Sequence, residues 1–247
     1  MRRETVLTAV GFMALLLAWQ ITSMNMHALI LASPYQAVTT LWAIMQTPDF
    51  THHFFTTLRR ISAGLMIGGA VGIILGFAVG LNKDLKCLLE PLRWLIMSVP
   101  PIVIVVLAML WFGMGTTMVV FMVALMVAPT IYVNTYKGIE MVDRNLVEVS
   151  QLYKFTAVMR IRDVYLPAII GPLSAAAIIV TCQAARTVVM AELLGAYAGI
   201  GYVIEEARSD LEIPTLFAWV LTSLAIVAFF EFAIFKPIHN YLVRWQR

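Results

Sequence analysis

Long apolar runs, joined by polar stretches too short to fold by themselves, make up most of this 247-residue chain. A helix needs roughly 20 apolar residues to cross the hydrocarbon core of a bilayer. Runs near that length occupy residues 6–24, 61–81, 92–112, 118–136, 168–194 and 216–235, which predicts six crossings. Composition removes the soluble alternative. Charged residues are 13% and hydrophobic residues 61% of the chain, against roughly 25% charged in a soluble domain. Too little charge remains to cover a water-facing surface. The expected fold is an all-α integral membrane protein, one transmembrane domain over residues 1–247.

The first run follows Arg2 and Arg3 and has no small-x-small site before Ala32-Ser33-Pro34. It reads as a retained helix rather than a cleaved signal peptide. Residues 34–48 read as a short interfacial helix, with Ser33 as N-cap and Pro34 at the first position. Val38, Leu41, Trp42 and Met45 fall along it at helical spacing. Residues 49–53 read as a polar connection, residues 82–93 as a short basic loop and residues 198–214 as a polar segment.

In the second run Gly64, Gly68, Gly72, Gly76 and Gly80 recur at every fourth position. Each glycine costs a helix about 1 kcal/mol relative to Ala, so the stripe needs a compensating contact. It bares one face and lets another helix approach backbone to backbone. That contact is either plain packing within the chain, or contact with a moving helix or a second subunit. In the third run Pro100-Pro101 removes two backbone donors and predicts a kink or unwinding. Irregular backbone at membrane depth survives where it is buried in protein or lines a wet cavity.

Sidedness follows from the basic residues. With six crossings, one side collects Arg2, Arg3, Lys83, Lys86, Arg93, Lys137, Arg144, Lys154, Arg160, Arg162, Lys236, Arg244 and Arg247. The other receives only Arg59, Arg60 and Arg208. The first side is therefore expected to be cytoplasmic, with both termini on it and the 34–48 helix opposite. Arg59 and Arg60 read as interfacial anchors.

No G-x-x-x-x-G-K-[ST] phosphate loop occurs, so the chain is not expected to hydrolyse ATP itself. No nucleophile–base pair suggests catalysis, and no catalytic residue is expected. His52-His53 beside Asp49 lack a third ligand, and Cys87 and Cys182 lack metal-ligand spacing, so no metal site is expected. The modest net charge of +3 gives no reason to expect nucleic acid. Ionisable groups at membrane depth tend to face the bundle interior or a wet path. Arg186 sits within the fifth run, with Gln183 one turn before it and Glu192 six positions on. One reading makes Arg186 and Glu192 structural, each paired with another helix. The other places Pro100, Pro101, Gln183 and Arg186 on a translocation path and Glu192 at its outer gate.

The stretch EVSQLYKFTAVMRIRDVYLPAIIGP, from Glu148 to Pro172, is a basic, helix-like interruption between apolar runs. Set against EAA-x₃-G-x₉-I-x-LP, its Glu148 takes the leading position and Leu166-Pro167 the closing one. Val149 and Ser150 replace the two alanines, and Lys154 stands at the glycine. Ser33-Pro34 with Val38, TLRRISAGLMIGGAVGIILGFAVG, EPLRW…SVPPI…LWFGMG and AELLGAYAGIGYVI occur in the same order. Together these resemble the permease subunits of type I ABC importers, in the nitrate/sulfonate/taurine/bicarbonate branch. The resemblance implies a bacterial inner-membrane importer with two permease copies and two cytoplasmic ATPases that bind ATP and Mg. It also implies a substrate-binding protein outside and a cytoplasmic coupling loop over residues 137–166. Glu148, Val149, Ser150, Leu152, Lys154, Arg160, Leu166 and Pro167 are the expected docking residues. At Lys154 the family glycine permits a left-handed turn, so either that turn is strained or the two short helices join more continuously. The branch suggests a small anion, although relatives carry pyrimidines. A stand-alone ion-coupled carrier, the rival class, would need internal repeats and coupling sites at the midplane.

Overall fold

A computed structural model describes residues 2–27 and 30–230, and among these residues there is no strand. Four helices are long and apolar enough to cross a bilayer. They are α1 (Arg2–Asn25), α3 (Pro48–Leu81), α6 (Thr116–Glu140) and α9 (Leu166–Gly195), the last continuing backwards to Ala157. α4 (Lys83–Ser98) and α5 (Pro101–Phe112) pass the same test only as a pair, bent by 100° at their break. A twelve-residue α5 is about 18 Å long and cannot cross about 30 Å of hydrocarbon alone. The apolar α11 (Ile213–Ala228) is shorter. The expected end of the sixth crossing at residue 235 and the tail cations Lys236, Arg244 and Arg247 lie outside the described residues.

Three polar stretches expected as connections are helical. Residues 49–53 form the first turns of α3, with Pro48 at its start and Asp49 in the first turn. Both are favoured there: the missing N–H has no partner to lose, and a carboxylate suits the positive end of the helix dipole. At 34 residues α3 is about 51 Å long, longer than about 30 Å of hydrocarbon needs, and its first turns set Phe50 and Phe54 against the core. Residues 83–93 belong to α4, capped by Asn82, whose Oδ1 accepts the N–H of Asp84 at 2.9 Å and of Leu85 at 3.3 Å. Within 198–214 stands α10 (Ile200–Ser209), whose Ile200, Gly201, Ile204 and Ala207 are buried. The short α2 (Pro34–Ile44) has the anticipated cap: Ser33 Oγ accepts the Gln36 N–H, and Gln36 Oε1 accepts the Ser33 N–H. This is the reciprocal capping box. α2 packs on α11.

The core lies where α3, α6 and α9 meet, around Ile61, Met118, Met122, Val123, Ala184 and Val188. The glycine stripe of α3 faces α6, within the same chain. A Cβ built on Gly64, Gly68, Gly72, Gly76 or Gly80 meets Val123, Val127, Ile131, Thr135 or Ile139 in turn. The offset is constant (123 − 64 = 59 and 139 − 80 = 59), so the two helices run parallel in one register. All five opposing residues are β-branched. Such side chains hold nearly one rotamer in a helix, and here they form a stiff ridge every four residues that fills the glycine groove.

Replacement of Gly72 by Ala would place Cβ 2.7 Å from the Ala128 carbonyl oxygen and 2.8 Å from Ile131 Cβ. Overpacking of this kind costs about 1–3 kcal/mol. Gly69 has nothing within 4 Å of the same position, so Gly69→Ala gains only helix propensity. Thermal unfolding in detergent is expected to show Gly72→Ala melting below the parent and Gly69→Ala at or above it. Equal melting of the two variants would remove the ladder as a packing element.

Candidate functional site

The polar loop is a compact helical hairpin, beginning after α6 ends at Glu140 rather than at residue 137. Asp143 opens α7 (Arg144–Leu152) by accepting the Asn145 N–H at 2.9 Å. α7 closes with two bonds, from the Lys154 N–H to the Gln151 carbonyl and from the Phe155 N–H to the Ser150 carbonyl, both 2.9 Å. That pair defines a Schellman turn, whose corner residue is left-handed. Lys154 is that corner, at φ 53°. The strained turn is therefore kept without its glycine, at about 1 kcal/mol for a residue bearing a Cβ. Thr156 then caps α8 (Ala157–Arg160), and a π turn (Ile161–Tyr165) leads into Leu166 and Pro167 at the start of α9.

The hairpin presents apolar side chains to the outside. Leu152 is 81% and Tyr153 73% exposed, with Leu146, Val149, Val158 and Met159 exposed beside them. Glu148 and Lys154 flank this patch, both exposed. The Glu148 carboxylate makes no hydrogen bond or ion pair with a described residue. Ser150, expected at the docking face, is buried instead and donates its Oγ–H to the Val147 carbonyl at 2.6 Å. Arg160 is half-buried with an unpartnered Nε. Contiguous apolar surface rimmed by charge marks an interaction site.

A second feature sits at the α4–α5 break. A cavity of about 160 Å³ is lined by Ile96, Met97, Val99 and Pro101 from the break, Leu125, Met126, Pro129 and Thr130 from α6, and Gln183 from α9. Pro101 and Gln183, both expected on a path, thus come together. Arg186 does not join them: it is exposed, and its Nε–H is donated to the Cys182 carbonyl at 3.1 Å.

Glu192 is also elsewhere, 1% exposed in a polar knot that ties α3, α6, α9 and α10. Its carboxylate accepts Arg60 Nη1–H at 2.8 Å, the Thr57 hydroxyl at 2.8 Å and the Gly201 N–H at 3.1 Å. Arg60, 4% exposed, also donates to the Ala198 carbonyl at 2.6 Å and to Thr116 Oγ1 at 2.9 Å. It is therefore no interfacial anchor, whereas Arg59 is exposed. The N–H groups that open α10 are each met from outside the helix. His53 Nδ1 accepts that of Gly199, Thr57 Oγ1 that of Ile200 and Glu192 Oε2 that of Gly201. His53 is thus a half-buried helix residue rather than part of a solvated loop. Gly199, at φ 112°, cannot be replaced: its backbone favours glycine, and a Cβ would collide with the Glu192 carboxylate. Every carboxylate oxygen of Glu192 is engaged in holding helices together, the pairing with another helix that its structural reading expects. Pairing the lone acid of the fifth run with Arg60 was within reach of sequence, since a buried charge needs an opposite one. Thr57 and Thr130 carried no such signal.

Two expectations follow for stability. Glu192→Leu leaves Arg60 charged and unpaired in the interior, a loss of about 3–5 kcal/mol. The double variant Arg60→Met/Glu192→Leu recovers part of it. Melting of both in detergent checks this, and equal losses would show that charge isolation is not the cause. Lys154→Gly relieves the left-handed corner and is expected to melt no lower than the parent. A clear drop would mean that the Lys154 side chain itself supports the hairpin.

A family model described as binding-protein-dependent transport system inner membrane component matches residues 68–245. The chain is 26% identical over 219 residues to SsuC of Bacillus subtilis, named as an aliphatic sulfonates transport permease protein, covering 89% of this chain and 79% of that one. It is 26% identical to the formylaminopyrimidine transport permease protein ThiX of Halalkalibacterium halodurans, over 96% of this chain and 94% of that one. To the taurine transport system permease protein TauC of Escherichia coli it is 25% identical, over 98% and 90%. Among solved structures, the inward facing MetNI methionine ABC transporter superposes with a TM-score of 0.64 at 18% identity, covering 84% of this chain and 96% of that one. A crystal structure of an amino acid ABC transporter superposes at 0.61 and 20% identity, over 83% and 97%.

Proposed function

The chain belongs to the family of binding-protein-dependent transport system inner membrane components, and we propose that an ATPase partner drives it through the α7–α8 hairpin. It is a multi-pass permease of an ABC importer, with the fold of that class. The observation that carries the proposal is the hairpin surface: apolar side chains as exposed as Leu152 and Tyr153, beside an unpartnered Glu148. A water-facing hairpin gains nothing from such a face unless another protein covers it.

The fold supplies a route for the push. From Ala157 to Gly195 the chain is helical without interruption. One rod therefore carries the hairpin at its start, Gln183 at the cavity and Glu192 in the knot. The 26 positions from Ala157 to Gln183 correspond to about 39 Å at 1.5 Å per residue. Movement of the hairpin by an ATPase that closes on ATP and Mg reaches the cavity along this rod, while the knot holds the far end to α3 and α10. The working assembly in this proposal has two ATPases, two copies of this chain and a substrate-binding protein on the opposite face. Sulfonates, taurine and formylaminopyrimidine appear in the names of relatives, which supports a small organic solute. A stand-alone carrier would leave the hairpin face without a purpose.

Glu148→Arg reverses the charge at the exposed face without touching a described hydrogen bond. Co-purification of the ATPase is expected to fall at least tenfold while the permease melts as before. An ATPase retained at parental yield, with uptake unchanged, would remove the docking proposal.

A further inference from the structure

The cavity at the α4–α5 break has a hydrogen-bonding character of its own. Pro100, Pro101 and Pro129 have no N–H to give. They stand four positions after Ile96, Met97 and Leu125, so each of those carbonyls loses its helical donor. Across the break the backbone bonds run from the Val99 N–H to the Leu95 carbonyl at 3.2 Å and from the Val103 N–H to the Pro100 carbonyl at 3.0 Å. Neither serves Ile96 or Met97. Ile96, Met97 and Leu125 all line the cavity. Gln183 and Thr130 also line it, and neither the Gln183 amide nor the Thr130 hydroxyl bonds a described residue.

The sign of this lining is consistent. No charged side chain is among the lining residues. α4 turns its C-terminal end to the cavity, the end where a helix carries about half a negative charge. The positive N-terminal end of α5 contributes only Pro101, which has no donor. Arg186, the cation expected to attract an anion, is exposed and turned onto the Cys182 carbonyl. Carbonyl ends of broken helices attract cations and donors, as their N-terminal ends attract anions. At about 160 Å³ the space is far above the roughly 10–15 Å³ that admits a single water, and on the scale of a small solute.

We infer that this cavity is a solute site that selects an N–H donor, an ammonium or an amino group on a pyrimidine, carried on a small apolar body, and that it does not select for an anion. The inference rests on the permease reading above and names the chemistry of its path. The carbonyls of Ile96, Met97 and Leu125 accept the donor, Gln183 and Thr130 orient it, and Val99, Met126 and the prolines enclose the apolar part.

The test uses the permease–ATPase complex in lipid nanodiscs without binding protein, titrated with taurine, 4-aminopyrimidine and ethanesulfonate. Taurine and ethanesulfonate share the sulfonate and differ by the ammonium. At least one amine-bearing probe is expected to bind at least tenfold more tightly than ethanesulfonate. Taurine alone would assign the site to an ammonium, and the pyrimidine alone to an aromatic amine. Gln183→Leu and Thr130→Val, each assembled with the ATPase, are expected to reduce that binding several-fold. Ethanesulfonate binding as tightly as both amine-bearing probes, no binding by any probe, or affinities unmoved by both variants would overturn the inference. A complex that assembles and hydrolyses ATP but fails these tests leaves the permease reading standing. Failure to assemble removes both.

Discussion

Backbone contact between α3 and α6 is the constraint on which the other features rest. Side chains cannot separate the two helices, because Gly64, Gly68, Gly72, Gly76 and Gly80 leave none on one side. In a bilayer, lipid is as apolar as leucine, so burial of apolar surface does not hold helices together as it does in water. Close packing and buried polar bonds must do so. The glycine groove filled by Val123, Val127, Ile131, Thr135 and Ile139 supplies the first along some sixteen residues of shared register (80 − 64 = 16). It also fixes which groups meet at each end. Arg60 lies one turn before the first glycine and reaches Thr116 at the start of α6, while Lys86 of α4 pairs with Glu140 where α6 ends.

The second means of cohesion is the knot around Glu192. A buried ion pair is expensive to desolvate and holds only when its remaining hydrogen bonds are satisfied. Here they are, by Thr57, Thr116, Ala198 and the Gly201 N–H of α10. The carboxylate at the start of α10 also meets the positive end of that helix. One end of the α9 rod is thus fixed by electrostatics, its middle borders a cavity, and its other end carries an exposed hairpin. This division of one helix into anchored, lining and exposed thirds makes the molecule legible as a machine part.

The sequence revealed the long apolar helices α1, α3, α6 and α9, the glycine stripe, the Ser33 cap and the break at Pro100-Pro101, because each is a local pattern. It misled where polar residues were satisfied by protein instead of water. His53 reads as part of a polar connection until α10 is seen to bring the Gly199 N–H to it, and Thr57, which carried no signal, receives that of Ile200. Arg60 looked like an anchor because it ends a polar stretch, yet its partner lies 132 positions away. The ridge facing the glycines hid inside an apolar run, where β-branched residues every fourth position do not stand out. Lys154 shows the opposite case. A turn that usually takes glycine survives the substitution because two backbone bonds, from Lys154 and Phe155, define it.

The central claim is that the hairpin face is the seat of the motor. Its most direct measurement is labelling of Leu152→Cys by a membrane-impermeant maleimide applied to the cytoplasmic side, with Cys87 and Cys182 replaced by serine and alanine. The account predicts rapid labelling of the permease alone and strong protection once the ATPase is bound. Equal labelling in an assembled, ATP-hydrolysing complex, or labelling only from the opposite side, would contradict it.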